Sequence, residues 1–281
     1  MSTTLHSARA TTAPVITIDH GTVTRRTDDL AGEEPLQIRA AGPGQEPIDI
    51  AVTMRTPGAE DELAAGFLVT EGLCDPADID RFELGDPATD ARPDDTITVR
   101  LRQPVDPELI RERMTVATAS CGICGTASID DIARRCAPLP DGPRIDPSVL
   151  PGITTTLRAA QGTFDSTGGL HASGLFDPGG RLLRAREDVG RHNALDKLIG
   201  AAVLAGGLPL HDTLLLVSGR VSFELVQKAA MAGIPVLAAI GAPTDLAVDT
   251  ATRLGMTLIG FLRGERCNVY SRPERLGIEP S

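Results

Sequence analysis

The rhythm of apolar positions along this chain changes near Thr115. Before that point the apolar residues mostly alternate with polar ones. Ile48 to Val52 alternates and predicts a half-buried strand, and Thr96 to Leu101 does the same. Val15 to Arg25 and Leu36 to Arg39 read as short strands. Between them Thr56-Pro57 opens a helix over about Ala59 to Glu71, closed by Gly72. Asp86 to Asp95 and Gln103 to Pro107 read as loops, and residues 1–13 as a disordered tail. The region 14–112 is therefore expected to be a small α+β domain.

After Thr115 continuous apolar runs alternate with helical patterns. Leu170 to Phe176 and Arg181 to Ala185 predict a hairpin around Asp177-Pro178-Gly179-Gly180. Thr213 to Val217, Ile234 to Ile240 and Met256 to Leu262 are buried strands. His192 to Leu204, Ser222 to Ala232 and Thr244 to Leu254 are helices, the last two closed by Gly233 and Gly255. A further helix is expected over Thr126 to Cys136, followed by a Pro/Gly-rich surface loop, Ala137 to Gly152. Apolar strands separated by helices of this length imply an α/β domain over 113–281, with a mainly parallel sheet covered on both faces. No internal repeat is present.

Composition narrows the picture. In 281 residues, 41% hydrophobic content suffices for a real core, and 2% aromatics means that core is Leu, Val, Ile and Ala. A net charge of −11 argues against nonspecific nucleic-acid binding or a basic membrane patch, while leaving room for a local basic pocket. No apolar run approaches the length of a membrane span, about 18 residues. The five cysteines, Cys74, Cys121, Cys124, Cys136 and Cys267, are too sparse for a secreted disulfide scaffold. The expectation is a cytoplasmic protein in which a Cys-x-x-Cys is catalytic or metal-binding.

That motif is Ser120-Cys121-Gly122-Ile123-Cys124-Gly125. Glycine after each cysteine keeps bulk off the sulfurs, and a helix start nearby favours thiolate. A zinc site needs about four ligands, so Cys136, Cys267, His171 or His192 would have to complete it through the fold. A sulfur relay needs only one accessible thiolate and a second group to assist it. Four other segments are polar where a strand or helix begins or ends. Thr167-Gly168-Gly169-Leu170-His171-Ala172 puts a histidine after two glycines. Arg186 to Lys197 opens an apolar helix with Glu187, Asp188, Arg191 and His192; Asp188 is a candidate cap, and the two basic residues there suit a bound anion. Ser218-Gly219-Arg220 follows one buried strand, with Ser222 and Glu224 opening the next helix. Phe261-Leu262-Arg263-Gly264-Glu265-Arg266 follows another. With Ala242 ending a third, these segments place anion-friendly groups at three strand ends, where open α/β sheets bind ligands.

Taken together, these blocks resemble the FdhD family from about Glu33 to Tyr270. The resemblance includes Glu33-Glu34-Pro35-Leu36, Thr56-Pro57, Leu63 to Leu68 and Glu71-Gly72 in the first half. It continues through Cys121 to Gly125, Thr167 to Ala172, Glu187 to Lys197, Ser218-Gly219-Arg220 and Phe261-Leu262-Arg263. The resemblance implies a sulfur carrier that accepts sulfur from a cysteine desulfurase as a persulfide. It would pass the sulfur to the molybdenum cofactor, a bis(molybdopterin guanine dinucleotide), before that cofactor enters formate dehydrogenase. It implies Cys121 as the persulfide residue and Cys124 as its partner. It implies Phe261, Leu262, Arg263, Gly264, Glu265 and Arg266 as the cofactor-binding segment, with His171, His192, Ser218 and Arg220 as weaker candidates for lining the pocket. A cytidine deaminase-like three-layer C-terminal domain, a homodimer and no tightly held cofactor or metal of its own are further expectations.

Rivals remain at this point. A zinc nucleoside deaminase would carry His-x-Glu before Pro-Cys-x-x-Cys. Here Ser120 replaces the proline, His171 follows the cysteines, and Ser173 stands where the glutamate would be. A binding chaperone would keep the Arg263 and Arg266 cradle and tolerate loss of Cys121. A redox protein would cycle a Cys121–Cys124 disulfide.

Overall fold

The computed structural model of the chain describes residues 9–108, 110 and 138–279. Cys121, Cys124, Cys136 and the helix expected over 126–136 lie outside the described residues.

The chain opens with an antiparallel ribbon of β1 (Ala10–Asp19) and β2 (Thr22–Ala31), paired along their whole length. His20 and Gly21, both at positive φ, make the turn. The first strand takes in residues 10–13, which the sequence reading placed in the tail. Next comes a four-stranded sheet in the order β4-β3-β6-β5, built from β3 (Glu34–Ala41), β4 (Ile48–Arg55), β5 (Ile79–Leu84) and β6 (Thr96–Leu101). Helix α1 (Glu60–Thr70) covers one face. Alternation decides which residues face it: Leu36, Ile38, Ile97 and Val99 are buried with Leu63, Ala64 and Leu68 of the helix.

The C-terminal half holds a six-stranded sheet in the order β12-β11-β10-β9-β7-β8. Its strands are β7 (His171–Phe176), β8 (Leu182–Asp188), β9 (Leu214–Val217), β10 (Val236–Ala239), β11 (Thr257–Arg263) and β12 (Arg266–Ser271). Only β9–β10 and β10–β11 pair in parallel; the other three pairings are antiparallel. The sheet is thus mixed rather than mainly parallel. The physical reason is the connections: short turns join β7 to β8 and β11 to β12, and only antiparallel strands can be joined so tightly. A strand buried on both faces reads as an apolar run in either orientation, so the pattern of side chains could not tell them apart.

Helices cover both faces. They are α2 (Leu150–Ala159), α3 (Gly162–Thr167), α4 (Arg191–Leu204), α5 (Phe223–Met231) and α6 (Asp245–Arg253). Helix α2 starts within the segment read as a loop, and its Leu150, Ile153 and Leu157 pack on Leu214, Leu216 and Val236. On the opposite face Leu215, Val217 and Leu237 meet Leu195, Leu198, Leu225 and Ala251.

Helix α1 also crosses α4 at very short range. A Cβ on Gly66 would lie 1.9 Å from the Asp196 carbonyl oxygen, and one on Gly200 1.7 Å from that of Glu62. Neither position admits any side chain without moving backbone. Two buried polar clusters flank this crossing. In one, Lys228 Nζ lies 3.0 Å from Asp196, 2.8 Å from Glu71 and 2.9 Å from the Thr70 hydroxyl, which itself donates to Asp196. Burial alone would lower the Lys228 pKa, but Asp196 and Glu71 hold it above its ordinary value. In the other, Lys197 Nζ lies 2.7 Å from Asp188 and donates to the Thr56 carbonyl at 2.7 Å. The Thr56 amide and the Asn193 side chain both donate to Asp188. Among the described residues no helix is long and apolar enough to cross a membrane.

Candidate functional site at the strand ends

The carboxyl ends of β9, β10 and β11 lie side by side, and backbone bonds lace them together. Gly241 N donates to Gly219 O at 3.1 Å, and Phe261 N donates to Gly241 O at 3.0 Å. Ser218, just past β9, is clamped to β7: its amide donates to Ala172 O and its hydroxyl accepts from Ala172 N, both at 2.9 Å. This brings His171 against the same edge, 3.3 Å from where a Cβ on Gly219 would sit.

The last strand end is unusual. Phe261 has φ 53°, a left-handed conformation that residues with side chains rarely adopt. Leu262 beside it is sunk in the core, while the Phe261 ring is 37% exposed. A strained aromatic turned towards solvent, pinned by one backbone bond, is a feature that clusters at ligand sites. The chain then doubles back, with Arg263 opposite Arg266 across a turn of Gly264 and Glu265. Arg263 to Arg266 are all exposed, as is Arg220. Arg220, Arg263 and Arg266 make no ion pair among the described residues. In a chain of net charge −11, three free guanidinium groups on one sheet edge form a local basic surface.

His192, in the first turn of α4, faces the start of α5. Its Nε2 is 2.8 Å from a Glu224 carboxylate oxygen and 3.3 Å from the Ser222 hydroxyl. The hydrogen bond from His192 holds the Glu224 carboxyl below its ordinary pKa, against the effect of burial. Burial pushes the His171 pKa down, and Arg191 and His192 push it further. Among the described residues, the Arg191 Nε and the Ser173 hydroxyl are buried without a hydrogen-bond partner.

Two carboxylates of the motif Glu187 to Lys197 do something other than the sequence suggests. Helix α4 has Gly190 at its N-cap and no side-chain cap. Asp188 binds the Gly190 amide, but its main partners are Lys197 and Thr56 in the buried cluster. Glu187 points away and accepts from the amides of Thr163 and Phe164, so it caps α3 instead. Asn193, Asp196 and Lys197 are likewise buried, Asp196 against α1 and the other two against Met54 and Thr56 just before it. This motif, whose two basic residues suit a bound anion, is therefore mostly an internal fastening. Only Arg191 and His192 remain beside the strand ends.

A cavity of about 430 Å³ opens at the same edge, lined by His171, Ser218 and Ile240 from the sheet and by Arg158, Gln161 and Phe164 from the segment of α2 and α3. Sequence reasoning did not find the last three. They lie past the loop expected over Ala137 to Gly152, in a stretch to which the sequence pattern assigns no element, and no spacing marks them; only the fold brings them to the strand ends. Cys74 and Cys267 are half-buried thiols, and burial raises both, Cys74 to about 12. Neither is a ready thiolate. Cys121 and Cys124 lie outside the described residues. Among the described residues no cluster of His, Cys, Asp or Glu is arranged to hold a metal.

The fold and this edge define a mixed α/β protein with a crevice and exposed arginines at the ends of its parallel strands. Comparison with known proteins makes the assignment specific. Residues 31–277 match the FdhD/NarQ family, and the chain belongs to that family. It is 48% identical over 271 residues to the sulfur carrier protein FdhD of Streptomyces avermitilis, covering 94% of each chain. The protein of the same name from Nocardia farcinica is 47% identical over 257 residues, covering 90% of this chain and 89% of that one. A crystal structure from Desulfotalea psychrophila, assigned as a formate dehydrogenase accessory protein, superposes with a TM-score of 0.74 at 25% identity. It covers 96% of this chain and 100% of the other.

Proposed function

We propose that the protein is a cytoplasmic sulfur carrier for formate dehydrogenase maturation. In this reading it takes sulfur from a cysteine desulfurase and delivers it to the molybdenum cofactor, bis(molybdopterin guanine dinucleotide), as substrate. The observation that carries the reading is the set of Arg220, Arg263 and Arg266, unpaired among the described residues, at the strand ends with the strained Phe261. A dinucleotide acceptor brings pyrophosphates, and guanidinium groups bind such oxygens bidentately. The names of the relatives supply the sulfur chemistry.

The chemistry is written on Cys121 and Cys124. The Cys121 thiolate attacks the outer sulfur of the donor's persulfide; the donor S–S bond breaks and its cysteine leaves as thiolate. This leaves Cys121 as a persulfide. Delivery as sulfide needs two electrons. The Cys124 thiolate supplies them by attacking the inner sulfur, forming a Cys121–Cys124 disulfide and releasing the outer sulfur to the acceptor. An external dithiol then resets the pair. His171, His192 and Ser218 line the acceptor side. A homodimer, a domain boundary near residue 112 and a cytidine deaminase-like C-terminal domain belong to the same reading.

The test is maturation of formate dehydrogenase in cells that lack their own family member. The intact gene restores activity, Cys121→Ala abolishes it, and Cys124→Ala retains part of it when a reductant is supplied. Full activity with Cys121→Ala favours the chaperone reading.

A further inference from the structure

We propose that the outer half of the β1–β2 ribbon is the surface on which the cofactor-free recipient enzyme, a formate dehydrogenase, docks. The inference rests on the delivery role proposed above. Alternation sets Ile16 and Ile18 on one face of β1, and the register puts Val23 opposite Ile18 on that same face. Ile16, Ile18 and Val23 are 61%, 72% and 63% exposed. Single aliphatic side chains in solvent need no explanation, but three on one face of a projecting element mark an interaction surface.

The ribbon is built to project. Its two ten-residue strands pair along their whole length, a reach of about 33 Å. At its turn the Asp19 and His20 side chains are 80% and 98% exposed. The opposite face satisfies its own polar groups: Arg26 donates to the Thr17 hydroxyl and to Asp28, both at 2.8 Å. A two-stranded ribbon is marginal alone in water and draws its stability from what it packs against. The root has such support, since β2 packs on α3 and Gly32 N donates to Arg9 O at 2.8 Å. Ile16, Ile18 and Val23, left in solvent, do not.

Position and area choose the occupant. Gly169 lines the strand-end cavity, and a Cβ there would lie 3.1 Å from the Cβ of Ala31, the last residue of β2. Phe164, on the helix beneath β2, lines the same cavity. The ribbon therefore rises from the cavity's rim. A protein that receives what the strand ends deliver has to face that rim, and the ribbon stands beside it. The three side chains offer roughly a few hundred Å² of apolar surface. A stable dimer buries about 1,200–2,000 Å² in total, whereas smaller contacts serve partners that come and go. A recipient has to leave once it is loaded, which suits this patch; a second copy held by this patch alone would not stay.

Interferometry between the full-length protein and immobilised, cofactor-free formate dehydrogenase tests this. The variants are Ile16→Asp with Ile18→Asp, and Ile16→Thr with Ile18→Thr, which keeps strand-favouring side chains if the first pair disturbs folding. Val52→Asp, at a site 68% exposed on β4, is the control. Both ribbon variants weaken enzyme binding at least about tenfold, as loss of a central apolar contact does. The control binds as the wild type does. Light scattering gives the same mass for all of them, and sulfur loading on Cys121 by the desulfurase is unchanged. Four results overturn the proposal: no binding of the enzyme by wild type, unchanged affinity in both ribbon variants, a lower mass in those variants, which would assign the patch to a second copy, and lost sulfur loading with enzyme binding intact, which would assign it to the desulfurase. A protein that loads sulfur and binds the enzyme equally well without the isoleucines loses only this inference. One that binds the enzyme through the ribbon and never loads sulfur loses only the sulfur chemistry of the proposed function.

Discussion

Two polar regions of this protein are only a few residues apart in sequence and opposite in character. At the crossing of α1 and α4, Asp188, Asp196, Lys197 and Lys228 are all deeply buried, and each has ionic and hydrogen-bonded partners. At the strand ends, among the described residues, Arg220, Arg263 and Arg266 have no partner, and Arg191 Nε and the Ser173 hydroxyl are buried without one. In the first region the protein consumes its own polarity. In the second it leaves polarity over, which is what a ligand needs. Charge and burial alone would have ranked the first region higher; satisfaction of the groups reverses the order.

The comparison can be broken from the buried side first. Lys228→Met leaves Asp196 and Glu71 facing each other without a cation, and chemical denaturation should show a loss of about 3–5 kcal/mol. A change below about 1 kcal/mol would mean that the cluster is not a fastening. Gly200→Ala forces a methyl group against the Glu62 carbonyl and should cost about 3 kcal/mol, read from the same denaturation curves.

A smaller effect concerns pH. The His171 pKa is lowered in the folded protein, so the unfolded chain binds its proton more readily. Its contribution to stability is complete above the unfolded value, about 6.5, and is lost as pH falls from there through the lower folded value. Thermal midpoints measured across this range should fall less steeply for His171→Gln than for wild type. A steeper fall for the variant would reverse the sign assigned here. The smallest stability effect belongs to the strand ends. Arg263→Ala with Arg266→Ala should shift stability by no more than about 0.5 kcal/mol, since both side chains are exposed and unpaired. The same variant should weaken pyrophosphate binding at least about tenfold by calorimetry. Full stability with full anion affinity would remove the arginines from the site.

Much of the fold could be read from the sequence wherever one face of an element is buried. Thr96 to Leu101 is a strand with the predicted ends, and α1, α4, α5 and α6 fall within a residue or two of theirs. Strand direction was not legible, because β7 and β9 are buried on both faces and carry no directional signal. Helix α2 was hidden by Pro151 and Gly152 in its first turn, residues that read as loop when the fold is unknown. At the site, His171, Ser218 and Phe261 were visible because glycines and strand ends flag them. Arg158, Gln161 and Phe164 carried no such flag: only the packing of α2 and α3 on the sheet brings them to the cavity, and that is not written in the local sequence.

The central claim is that Cys121 carries sulfur, and intact-mass analysis after incubation with a cysteine desulfurase and cysteine tests it most directly. The account predicts a gain of about one sulfur mass, removed by reductant and absent in Cys121→Ala. An unmodified mass, with the Cys121 thiol reduced and titratable, would contradict it.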